Sequence, residues 1–196
     1  MNRKEREGFA KAAKGIGLGI MICDTVHPAI QIFIERLMGG IMEPRFDYSA
    51  KGYQAMLGLE KYLHECGIEE SLVHLIKLRA SQINGCAYCL DMHWKDLRAI
   101  GENEQRLYSL DAWRECPYYT ERERAALAWT EAVTLITQGH VPDGVHEEAK
   151  KQFSEKELAD LTLAVVTINA WNRMAIAART VPGTYEPKKH EVQQRA

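Results

Sequence analysis

Two cysteines and a histidine carry most of the chemical content of this chain. They sit in the run Gly85-Cys86-Ala87-Tyr88-Cys89-Leu90-Asp91-Met92-His93. Gly85 reads as a break and Gly101 as a stop, so the spacing predicts one helix over residues 86–100. On such a helix Cys86 and Cys89 are i,i+3 neighbours, and Cys89 and His93 are i,i+4 neighbours. All three side chains then share a face, with both thiols in the first turn. The unpaired N–H groups of that turn favour negative charge, which makes a thiolate easier to form. His93, one turn on, is placed to take the proton or to pair with the anion. That is a redox-active dithiol with its own base.

The elements around this run read as helices throughout, which makes the fold class all-α. Apolar residues at 53, 56, 57, 59 and 63 predict a helix from Tyr53 to Glu65. Another begins at Glu70 or Ser71 and closes at Asn84-Gly85, and a short polar one spans Glu104 to Leu110. Two capping boxes mark further starts. Thr120 with Glu123 opens a helix from Glu121 to Thr137, and Ser154 with Glu157 opens one from Glu155 to Arg179. Between them Pro142 to Phe153 reads as a short helix. The β-branched run Val165-Val166-Thr167-Ile168 lies between a strong cap and a helical continuation, and it is kept helical.

The first 41 residues differ from the rest. A charged opening, a glycine-rich apolar stretch and a short amphipathic helix from Pro28 to Leu37 suggest an appended N-terminal arm. No Ala-x-Ala cleavage pattern follows, which argues against a signal peptide, and the glycines lack the Gly-x-Gly-x-x-Gly spacing of a nucleotide loop. The domain is expected over 42–182, and the polar segment 183–196 is expected to be a loose tail.

Composition narrows the function classes. At 196 residues with 46% hydrophobic content, the chain can build one full core. A net charge of -2 offers no electrostatic footprint for nucleic acid. No run of about 18 apolar residues is present, so no membrane span is expected. Five cysteines, an odd number with Cys23, Cys66 and Cys116 standing alone, argue against a secreted disulfide framework and for a reducing, cytoplasmic setting. Cys66 and Cys116 have no charge partner nearby in sequence and are expected to be inert. A structural zinc would need a second ligand pair beside Cys-x-x-Cys, and none has the required spacing. No metal or cofactor is expected.

The run Lys77-Leu78-Arg79-Ala80-Ser81-Gln82-Ile83-Asn84-Gly85-Cys86-Ala87-Tyr88-Cys89-Leu90-Asp91-Met92-His93 resembles the alkylhydroperoxidase D-like branch of the carboxymuconolactone decarboxylase superfamily. The likeness continues through Ala112-Trp113-Arg114, Thr120 to Trp129, and Ile168-Asn169-Ala170-Trp171-Asn172-Arg173. It implies an all-helical domain assembling as a homo-oligomer, a hexamer or trimer, and thiol-dependent reduction of peroxides. In that scheme Cys89 attacks the peroxide, Cys86 resolves the sulfenic acid to a disulfide, and His93 relays the proton. An external dithiol, lipoyl or thioredoxin-like, would reduce the disulfide.

One position departs from the family pattern. The relay usually includes a glutamate twelve residues before the first cysteine, and this chain has His74 there. An imidazole passes protons but cannot hold an imidazolium by charge attraction as a carboxylate does. Weaker or differently tuned peroxidase activity is the expectation. Tyr88, Met92 and Trp94 are expected to shape a pocket or a subunit contact, and Arg79, Trp171, Asn172 and Arg173 to hold the fold. Two other classes stay open: a carboxymuconolactone decarboxylase-like lyase, and a non-catalytic redox-sensing oligomer.

Overall fold

Side-chain caps decide where the helices begin. The computed structural model describes residues 43–187. Ser49 accepts a hydrogen bond from the Gly52 amide and starts α1, Ala50–Glu65, three residues before the first residue of the apolar pattern. α2 runs Glu70–Asn84 and α3 Ala87–Ala99. α4 is short, Glu104–Tyr108, and a 3-10 turn follows at Leu110–Ala112. Both capping boxes form. Thr120 with Glu123 opens α5, Glu121–Thr134, and Ser154 with Glu157 opens α7, Glu155–Ala178. α6, Asp143–Gln152, lies between them. α5 ends earlier than its pattern suggests because the chain tightens into a 3-10 turn at Ile136–Gln138 ahead of Gly139. No strand occurs among the described residues, and Val165 to Ile168 are helical. The fold is all-α.

α2 is the centre of the body, packing against α3, α5 and α7, while α7 also meets α1 and α5. Leu72, Val73 and Ile76 face α7 and α5 in one apolar cluster with Trp129, Phe153, Leu161 and Val165. Leu75 and Leu78, on the adjoining face of α2, pack with Leu97, Leu107, Leu110, Trp113 and Leu127 in a second. α2 is thus covered on most sides, and its one polar stripe has to be paired. By length and composition α7 could cross a membrane. Nine of its residues are nevertheless buried within this body, Asp160 and Asn172 among them.

The expected arm, 1–41, lies outside the described residues. The start of the expected tail is tied down rather than loose. The Gly183 amide donates to the Asp91 carboxylate, and Lys95 reaches the carbonyl of Tyr185.

Candidate active site

A single left-handed residue sets the geometry of the dithiol. α2 stops at Asn84 because Gly85 adopts φ 68°, ψ 32°, a conformation that strains a side-chain-bearing residue. The Gly85 and Cys86 amides donate back to the carbonyls of Gln82 and Ser81. Cys86 is then the N-cap of α3, one position ahead of the first helical residue, and its sulfur accepts a hydrogen bond from the Cys89 amide at 3.4 Å. Cys86 and Cys89 are joined as a disulfide with Cα atoms 5.4 Å apart. Both are about 99% covered, in an apolar cluster with Ala80 and Ile168.

Polar side chains from α7 hold this turn in place. Asn84 donates to the side-chain oxygens of Asn169 (3.0 Å) and Asn172 (2.8 Å). Asn172 donates to the Ser81 hydroxyl at 3.0 Å, which itself donates to the Lys77 carbonyl. Asn172 is fully buried, so these bonds replace the water it gave up.

A cavity of about 520 Å³ opens onto the site between α1, α2, α3 and α7. Cys89 lines it and Cys86 does not. Its wall is largely aromatic and apolar, with Tyr53, Tyr88, Met92, Trp171 and Met174. A part-buried ion pair joins that wall. Lys77 bonds to Glu60, whose other oxygen accepts from the Trp171 indole N–H at 2.9 Å.

His74, His93 and Asp96 converge on the same cavity. The Nδ1 atoms of His74 and His93 face each other at 3.3 Å. Asp96 Oδ2 lies 3.6 Å from each of them. Burial pushes His74 down to about 4, helped by the neighbouring His93, and burial also pushes His93 below its ordinary value. Both rings are therefore neutral near pH 7. The Asp96 carboxyl is pushed up by burial, but its interactions with His93 and with the Tyr185 hydroxyl outweigh that and hold it below the usual range. Tyr185 donates to Asp96 Oδ1 at 2.6 Å. His93 Nε2 is buried with no hydrogen-bond partner among the described residues.

The structure thus brings Cys86, Cys89, His93 and His74 together. Sequence reasoning missed Asp96 and Tyr185. The signal for Asp96 was present, since it is i+3 from His93 on one helix face. No sequence signal pointed to Tyr185. Tyr88 and Met92 line the cavity, whereas Trp94 is part-exposed on another face, with Arg98 6.0 Å above its ring. Arg79 pairs with Glu131, and Arg173 bonds to Asn169. Cys66 and Cys116 are half-buried free thiols.

An all-α body whose second and third helices present a disulfide beside paired imidazoles defines a class of helical dithiol proteins. Comparison with known proteins narrows that class. The carboxymuconolactone decarboxylase family model matches residues 49–132. The uncharacterized protein YdfG of Bacillus subtilis is 42% identical over 132 residues, 67% of this chain and 90% of that protein. A crystal structure from Agrobacterium tumefaciens, ATU0492, is 42% identical with a TM-score of 0.71, covering 73% of this chain and all of that one. It is a protein of unknown function provisionally assigned to antioxidant defence as AhpD. The chain belongs to the carboxymuconolactone decarboxylase family, in its AhpD-like branch. The debrominase Bmp8 has the same fold at 23% identity and a TM-score of 0.59, covering 66% of this chain and 70% of its own.

Proposed function

We propose that this protein is a thiol-dependent peroxidase of the alkylhydroperoxidase type. The observation carrying this reading is that the cavity reaches Cys89 and the His74–His93–Asp96 group while Cys86 stays behind it. In the reduced protein, the Cys89 thiolate attacks a peroxide oxygen. The S–O bond forms, the O–O bond breaks, and the alkoxide leaves as the alcohol, taking the proton that His93 had accepted from the Cys89 thiol. Cys86 then attacks the sulfenic acid, forming the S–S bond and releasing water. An external dithiol, lipoyl or thioredoxin-like, returns the pair to thiols by exchange. His74 extends the relay, and Asp96 supplies the carboxylate that a glutamate at position 74 would have provided. A homo-oligomer, hexamer or trimer, in a reducing cytoplasm fits this cycle.

The family contains enzymes of varied kinds, and Bmp8 carries the fold with another activity, so the fold alone does not choose the reaction. The test is hydroperoxide consumption with a lipoyl donor by wild type, Cys89→Ser, Cys86→Ser and His93→Gln. Cys89→Ser should be inactive, Cys86→Ser should stop after one oxidation event, and His93→Gln should lose about 10²-fold. Oxidation of the wild type without turnover would identify a redox sensor. Lactone decarboxylation insensitive to thiol alkylation would identify a lyase.

A further inference from the structure

We infer that His74 Nδ1, His93 Nδ1 and Asp96 Oδ2 form a tetrahedral zinc-binding site with its fourth position open to the cavity. The reading is separate from the cysteine pair, whose lack of a second ligand pair argues against a thiolate zinc site. It also stands whether or not the dithiol turns over peroxide.

The distances carry the inference. The three atoms form a nearly equilateral triangle with sides of 3.3, 3.6 and 3.6 Å. A carboxylate–imidazole separation of 3.6 Å is too long for a good hydrogen bond, which falls at about 2.7–3.2 Å. It suits two ligands of one cation. A tetrahedron with bonds of about 2.1 Å has edges of about 3.4 Å, and an ion about 2.1 Å from each of these three atoms lies about 0.6 Å out of their plane, as a tetrahedral ion with a fourth ligand does. An octahedron with bonds of that length has edges nearer about 3.0 Å, which disfavours magnesium. Two imidazoles and one carboxylate are a donor set that suits zinc.

The surroundings of Asp96 and the cavity support the same conclusion. The Tyr185 hydroxyl occupies Asp96 Oδ1, which orients the carboxylate and leaves Oδ2 for the cation. The three ligand atoms all lie within 4.8 Å of one another, on adjacent helices fixed by the Gly85 turn, so little reorganisation is needed to close the site. All three residues line the cavity, which gives the ion an entry path and room for water or substrate. A cation held there would tie up the His93 ring beside the dithiol, so zinc should suppress any peroxide turnover by the metal-free protein, and a chelator should restore it.

The experiment is a titration of zinc into the full-length, untagged, metal-stripped, disulfide-linked protein against a chromophoric chelator. Cobalt serves as a spectroscopic probe of tetrahedral geometry. One zinc per chain is expected, with a tetrahedral cobalt spectrum and a zinc-dependent rise in Tm. The Cys86→Ser/Cys89→Ser double variant and His64→Gln, which changes a cavity histidine outside the triangle, should bind as the wild type does. Asp96→Asn, His74→Gln and His93→Gln should each lose at least about 10²-fold in affinity, and Tyr185→Phe about tenfold. Circular dichroism on each variant separates lost ligands from lost folding, and Tyr185→Phe leaves all three ligands in place. Zinc binding by the wild type no tighter than by Asp96→Asn would overturn the inference. Binding that survives in Asp96→Asn but disappears in the double cysteine variant would overturn it too.

Discussion

At the scale of single residues, the notable feature is one carboxylate that meets two imidazoles across a pair of helices. His74 stands where the resemblance implies a glutamate, and Asp96 Oδ2 lies 3.6 Å from both rings. The imidazoles therefore have a carboxylate within reach, and in the proposed cycle Asp96 takes the place of the glutamate. His74→Glu should bring no gain in peroxide turnover, because it adds a second carboxylate beside the first. Asp96→Asn should lower turnover by about 10²-fold while leaving substrate KM nearly unchanged. Steady-state kinetics on the metal-free variants checks both, and a clear gain in His74→Glu would show that Asp96 does not stand in. Tyr185 acts one step further out by orienting Asp96, so it is a positioning residue.

At the scale of elements, the dithiol is held by a turn and by one helix crossing it. Gly85 supplies the left-handed residue that ends α2 and frees Cys86 to cap α3. Asn172 on α7 then fastens Ser81 and Asn84 on the approach to that turn. Asn172→Ala should cost about 1–3 kcal/mol, because it leaves buried partners unsatisfied next to the site. Denaturant unfolding measures the loss, and the reactivity of the reduced thiols should change with it. Ser154→Ala, which opens the capping box of the same helix far from the dithiol, should cost about 1 kcal/mol and leave thiol reactivity alone. Equal effects of the two variants on the thiols would separate Asn172 from the positioning of the turn.

At the scale of the whole molecule, the helices are also joined by charge. Glu131 on α5 accepts from Arg79 on α2, from the Trp113 indole and from Arg114. Burial pushes its carboxyl up, but those hydrogen bonds outweigh burial and hold it below the ordinary 4.5. The unfolded chain therefore binds this proton at higher pH than the folded one. The stabilisation is full above the ordinary carboxylate value and is lost as pH falls through the lowered one. Glu131→Gln should cost about 3 kcal/mol at neutral pH and flatten the acid limb of the stability curve below about pH 4.5. Thermal melts of the two proteins across that range decide it, and parallel acid limbs would remove Glu131 from the account.

Much of this protein was legible from short-range pattern. Capping boxes, helical periodicity and the Gly85 break act within one or two turns, so the all-α class and the common face of Cys89 and His93 followed from the residues alone. Caps set the helix ends more finely than periodicity does: Ser49 moves α1 earlier, and Cys86 caps α3 instead of joining it. What lies across space was decided only by packing. Asp96 acquires meaning when α2 lays His74 against α3, and Tyr185 reaches it from 89 residues away. Which thiol meets the cavity is likewise a matter of how α2 and α7 pack around the pair. Local spacing governs which side chains share a helix face, and only the fold of the distant chain around that face determines which of them are buried, paired or open.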